Sequence, residues 1–136
     1  MDIAQRAYEE AERRIAAERE ARTGTLDFSD FWELFPDDPE ADFPSGALIR
    51  LPPAIAQLSH LERFNCSNTL VSDLTLLGAL TALQHLDCSN TQVSDLSPLG
   101  ALTALQHLEC ADTPVSDLSP LFALTALQHL VCQSTP

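Results

Sequence analysis

The sequence predicts an α/β solenoid in which each 22-residue coil supplies one short parallel strand and one helical or 3₁₀ turn, preceded by an N-terminal capping helix. Three observations predict it. Units stand in tandem at 58–79, 80–101 and 102–123, with a partial fourth at 124–136, and the second and third agree at 17 of 22 positions. Two hydrophobic periods alternate within a unit: Leu86 and Cys88 are spaced by two, as on a half-buried strand, while Leu96, Leu99 and Leu102 are spaced by three, as on a tight helical turn. Residues 2–22 lack Gly and Pro and are rich in Ala, Glu and Arg, which suits a helix.

Residues 1–25 are read as an amphipathic capping helix. Ile3, Ala7, Tyr8, Ala11 and Ile15 fall near one face, a small stripe suited to covering the open first coil. A coiled-coil dimer is the rival reading, weakened by the lack of sustained heptads. Residues 26–57 comprise a first strand at Leu26 and Phe28, an acidic-aromatic insertion and an irregular first repeat. In the insertion Asp27, Asp30, Glu33, Asp37, Asp38, Glu40 and Asp42 stand among Phe28, Phe31, Trp32, Phe35 and Phe43. Either the aromatics plug the end of the solenoid while the acids face water, or the segment docks on basic partners. Pro36 to Gly46 reads as a loop, and the repeat resumes at Leu51-Pro52-Pro53-Ala54-Ile55. Residues 58–136 are the repeats.

Each unit must stack on its neighbours, because one coil cannot bury its own apolar stripe. In the turns, Ser97-Pro98 and Ser119-Pro120 predict a serine N-cap before a proline in the first helical position. Asp95 and Asp117, just upstream, are expected to take further backbone donors. They recur once per coil beside no second acid, which favours turn caps over a cation column.

Cys66, Cys88, Cys110 and Cys132 recur every 22 residues. Structural zinc needs four ligands converging on one point, whereas stacked strands hold these thiols in a row about 4.8 Å apart. A disulfide prefers Cβ atoms about 3.5–4.5 Å apart, which in-register neighbours offer only with strain. Buried, reduced thiols are the expectation, consistent with a cytoplasmic protein. With Leu86 and Cys88 inward, alternation turns His85, Asp87 and Ser89 outward, followed by His107, Glu109 and Ala111, then His129, Val131 and Gln133. Arg63, Asn65 and Ser67 occupy the same columns in the first unit. Cysteine and histidine therefore lie on opposite faces of a strand, and no Cys–His dyad forms within a unit.

Composition narrows the partners. Seven arginines and no lysine face 20 acidic residues, for a formal net charge of −13, and every basic residue lies at or before Arg63. Binding to nucleic acid or to an anionic membrane would be repelled, and no apolar run is long enough to span a bilayer. The start, Met1-Asp2-Ile3-Ala4-Gln5-Arg6, lacks the basic and apolar stretches of a secretory signal, so cytoplasm is the expected compartment.

The pattern of Leu83, Leu86, Cys88, Thr91 and Val93 resembles the leucine-rich repeat L-x-x-L-x-L-x-x-N/C-x-L, and V-S-D-L-S-P-L at 93–99 and 115–121 is similar to the bacterial, internalin-like subclass. Two departures stand out. Cysteine replaces the second strand leucine, and Thr69, Thr91, Thr113 and Thr135 sit where the family usually has asparagine. A threonine ladder has fewer donors than an amide ladder, so a looser turn is expected there. A helix followed by a strand at Thr25–Ser29 resembles the start of bacterial leucine-rich-repeat proteins, some of which continue into Roc-COR GTPases.

The resemblance implies a non-catalytic protein-interaction module that binds an unknown protein partner through its exposed strand face. Arg63, Asn65, His85, Asp87, Ser89, His107, Glu109, His129 and Val131 are the candidate contact residues. No cofactor, metal or catalytic residue is assigned, since the sequence holds no phosphate-cradling glycine loop and no nucleophile with a base on its own face. The alternative is the detached sensor region of a larger signalling protein such as a Roc-COR GTPase. A third reading is a zinc-dependent binder using the histidine column, whose thermal stabilisation by zinc would be lost in His107→Ala. The fourth unit stops at Pro136 after its strand. Either the chain is a fragment of a longer reading frame, or another molecule covers that edge, an isologous dimer being the economical cover for the uncapped C-terminal coil.

Overall fold

The computed structural model describes residues 2–42 and 44–133. Chain order is α1 (Ile3–Ala21), β1 (Thr25–Asp27), α2 (Phe31–Leu34), a 3₁₀ turn (Pro53–Gln57), then β2 (Arg63–Asn65), β3 (His85–Asp87), β4 (His107–Glu109) and β5 (His129–Val131). Further 3₁₀ turns, Thr75–Ala79, Ser97–Ala101 and Ser119–Ala123, separate the later strands. The strands form one parallel sheet in the order β1-β2-β3-β4-β5. Pairing is in register throughout, with Thr25 opposite Arg63, then His85, His107 and His129 in line.

The core runs along the array between sheet and turns. Leu83, Leu86, Cys88 and Val93 are fully buried, as are Leu105, Leu108 and Cys110 one coil later. Burial relaxes at the far coil, where Leu130 is 39% exposed against 0% for Leu108, and Phe122 is 83% exposed where earlier coils have Gly78 and Gly100. Among the described residues no helix is long and apolar enough to cross a membrane.

Helix α1 is closed at both ends by its own sequence. The Asp2 carboxylate accepts from the Gln5 N–H at 2.8 Å, and Arg22 turns left-handed so that its N–H reaches the Glu18 carbonyl. Ala7, Ala11 and Ile15 are the buried stripe, and the two alanines let the helix approach the first coil closely. Polar contacts then fix its position. Arg14 makes a two-pronged ion pair with Asp30 at 2.7 and 3.1 Å, bonds the Asp27 carbonyl and lies over the Phe31 ring. Glu18, buried, accepts from the Thr23 hydroxyl and from the Gly24 N–H at 2.7 Å, and meets His60 Nε2 at 2.7 Å. One carboxylate thus ties the helix to the turn that leads into β1 and to His60 in the following coil.

The insertion divides its aromatic residues. Phe28 and Phe31 are fully buried, and the Phe28 ring packs on Phe31 and on Phe64, with centroids 5.0 and 5.4 Å apart. Trp32 is exposed, because it lies on the outer side of the short helix α2. Phe43 lies outside the described residues. The loop from Pro36 returns to an isolated antiparallel bridge at Gly46, which also bridges Thr69. Only glycine fits there, since a Cβ on Gly46 would come within 2.6 Å of Phe31 Cβ.

Two local expectations are corrected. Ser97 and Ser119 are not N-caps: Leu96 and Leu118 hold those positions, and the serines open the 3₁₀ turns. The capping is done by Asp95 and Asp117, whose carboxylates accept the Ser97 and Ser119 N–H groups at 2.8 and 2.9 Å, with Asp73 doing the same for Thr75. The threonine turn is also tight. Thr69, Thr91 and Thr113 are buried and donate to the carbonyls of Cys66, Cys88 and Cys110 at 2.6–2.7 Å. A short hydroxyl suffices because its acceptor lies in the same coil. Coil-to-coil bonds come one residue earlier, from left-handed Asn68, Asn90 and Asp112, whose N–H groups reach Ser89, Ala111 and Gln133. Thr135 lies outside the described residues.

Candidate functional site

In-register pairing converts the outward residues of each strand into two rows. One contains Arg63, His85, His107 and His129, the other Asn65, Asp87, Glu109 and Val131. Arg63 and His129 are exposed, and the other six are half-buried, as is Ser89 at the edge of the second row. The inward partners, Phe64, Leu86 and Leu108, are buried beneath them.

Side-chain length separates members of the second row. Asn65 curls onto its own chain, its Oδ1 accepting from the Ser67 N–H and hydroxyl at 2.9 and 2.7 Å. Asp87 accepts the Ser89 N–H at 3.0 Å in the same way. Glu109 is one methylene longer and reaches back across the coil instead. Its two oxygens face His107 Nε2 at 3.7 Å and His85 Nε2 at 4.0 Å, beyond hydrogen-bond length.

The histidines are layered above it. His85 and His107 stack with centroids 4.2 Å apart and planes 6° apart, while His129 tilts at 5.4 Å and 37°. Burial lowers the proton affinity of His85, the neighbouring His107 lowers it further, and Glu109 opposes both. His107 Nε2 is buried without a hydrogen-bond partner.

Three of the four column cysteines are buried away from this face, whereas Cys132 in the last coil is half-buried, contrary to the expectation of a fully buried column. Cys66, Cys88 and Cys110 are buried on the inner side. Desolvation pushes the Cys66 thiol up to about 12 and that of Cys110 to about 11, and raises Cys88 well above the ordinary range.

Two features of the molecule escape sequence reasoning. His60 stands outside the histidine column and pairs with Glu18, 42 positions earlier. A groove lined by Trp32, Asp42, Pro44, Asn68 and Asn90 joins the insertion to the turn residues. The signal for Glu109 is in the sequence, as the one glutamate where the preceding coil has aspartate, but its reach needs the register.

The family model for leucine-rich repeats in two copies matches residues 59–101. The solenoid is similar to bacterial internalin structures. It is similar to internalin C2 from Listeria monocytogenes at 35% identity and a TM-score of 0.60, over 61% of this chain and 37% of that one. It is similar also to an internalin (inlF) of the same organism at 28% identity and a TM-score of 0.59, over 61% of this chain and 24% of the other. The chain spans well under half the length of either internalin. No curated protein matches the chain in sequence. The leucine-rich-repeat consensus accounts for the buried Leu83, Leu86 and Val93, and Cys88 and Thr91 occupy their consensus places with equally complete burial.

Proposed function

We propose that this leucine-rich-repeat array is a non-catalytic protein-interaction module whose strand face receives a protein partner. The observation that carries the reading is the pair of aligned rows, Arg63-His85-His107-His129 and Asn65-Asp87-Glu109-Val131, spread across neighbouring strands over a packed core. Such a face offers acceptors, imidazoles and a flanking arginine on a rigid sheet, so a partner that fits it meets little ordering cost on this side. Similarity to internalins supports the same reading at the level of the fold.

The test is a pull-down from the native cell's lysate beside a variant carrying His85→Ser, Asp87→Ser, His107→Ser and Glu109→Ser. A protein captured by the wild type and lost by the variant is the expected result. Capture by both would take the site off the strand face, to the acidic-aromatic insertion or to α1.

A further inference from the structure

We propose that His85, His107 and Glu109 form a zinc-binding site on the strand face. Each offers one ligand atom, and the three atoms lie within 4.8 Å of one another, the one such group of three among the described residues. The closest approaches, 3.7 and 4.0 Å between the imidazole Nε2 atoms and the Glu109 oxygens, are too long for hydrogen bonds. Ligands on a tetrahedral zinc stand about 3.3 Å apart for bonds of about 2.0–2.1 Å. Closing the set around an ion takes atom shifts of about an ångström together with a splaying of the stacked His85 and His107 rings, so that their in-plane lone pairs converge.

The unpartnered Nε2 of His107 is the second observation. A buried ring nitrogen without a donor or acceptor is costly, and a metal bond satisfies it. Glu109 is available for the same ion because its carboxylate does not cap the following turn as Asp87 does. Duplication of a repeat explains why histidine recurs at this place; it does not explain a glutamate that leaves the turn to face both rings.

Two imidazoles and one carboxylate make a borderline ligand set, suited to zinc and poorly suited to calcium or magnesium, which favour oxygen. Zinc held by three side chains retains a fourth position. The thiols of the two coils that supply these ligands do not compete, since Cys88 and Cys110 are buried beneath the sheet. The inference does not rest on partner binding, because the metal alone tests it.

The experiment is a calorimetric titration of the full, untagged chain with zinc chloride, repeated on His85→Ala, His107→Ala, Glu109→Gln and His129→Ala. One zinc per chain is expected, weakened by more than about tenfold in the first two variants, less in Glu109→Gln, and unchanged in His129→Ala. A second measurement does not depend on variants. In ¹H–¹⁵N spectra of the wild type, zinc should shift the Nε2 resonances of His85 and His107 and leave those of His60 and His129 in place. Absence of binding at about 0.1 mM zinc, equal binding by the His85→Ala/His107→Ala double variant, or a thiolate charge-transfer band with cobalt would each overturn the proposal.

Discussion

The cysteine column and the histidine column recur with the same 22-residue spacing and lie three residues apart in the three coils that carry both, yet their chemistry diverges. Cys88 and Cys110 sit under the sheet with their thiols driven toward the protonated form, while His85 and His107 stand half-buried above it with nitrogens facing a carboxylate. Both residue types are good ligands for soft or borderline metals. The difference is made by strand parity and desolvation, so one register step decides whether a side chain acts as packing or as chemistry.

The comparison breaks most visibly in reactivity. At pH 8 iodoacetamide should alkylate Cys66 about a thousandfold and Cys110 about a hundredfold more slowly than a short-peptide thiol, and urea above the unfolding midpoint should abolish that protection. Peptide mapping by mass spectrometry reads it. Protection that is already absent in native buffer would show that the inner column is open to solvent.

Stability separates the two sides next. Leu108→Ala, on the inner side of β4, is expected to cost about 3 kcal/mol in urea unfolding, because its site is closed on all sides. The buried turn hydroxyl comes after it: Thr91→Val should cost about 1 kcal/mol through loss of the bond to the Cys88 carbonyl. His129→Ala, on the outer side of β5, should move the unfolding free energy by less than about 0.5 kcal/mol. A large effect there, with a small one at Leu108, would invert the assignment of faces.

The same division shows what a reader of the sequence could recover. Period and alternation place Leu83, Leu86, Cys88 and Val93 inside and the histidine column outside, because a repeat-locked strand has one buried face. Contacts between parts of the chain without a shared period stay hidden. Glu18 and His60 meet across 42 positions, and nothing local marks a helical glutamate as buried. Phe31 and Trp32 are neighbours of similar hydrophobicity, and only the direction of α2 sends one inward and the other out. The serine caps fail for a smaller reason: an aspartate two residues upstream already reaches the same N–H, so the turn begins one residue earlier than Ser-Pro suggests. Within the candidate site, the columns follow from the register, whereas the facing of Glu109 toward two rings depends on one methylene.

Unbroken register from β1 to β5 also makes the outer face a scale with a fixed division. Adjacent coils advance by the strand spacing, about 4.8 Å. A partner α-helix laid along the array advances about 5.4 Å per turn, so its contacts slip by about 0.6 Å with each coil and fall out of phase after a few. Stacked strands or a second solenoid keep step indefinitely. The pitch of the scaffold therefore selects among the shapes of its visitors before any single side chain is consulted.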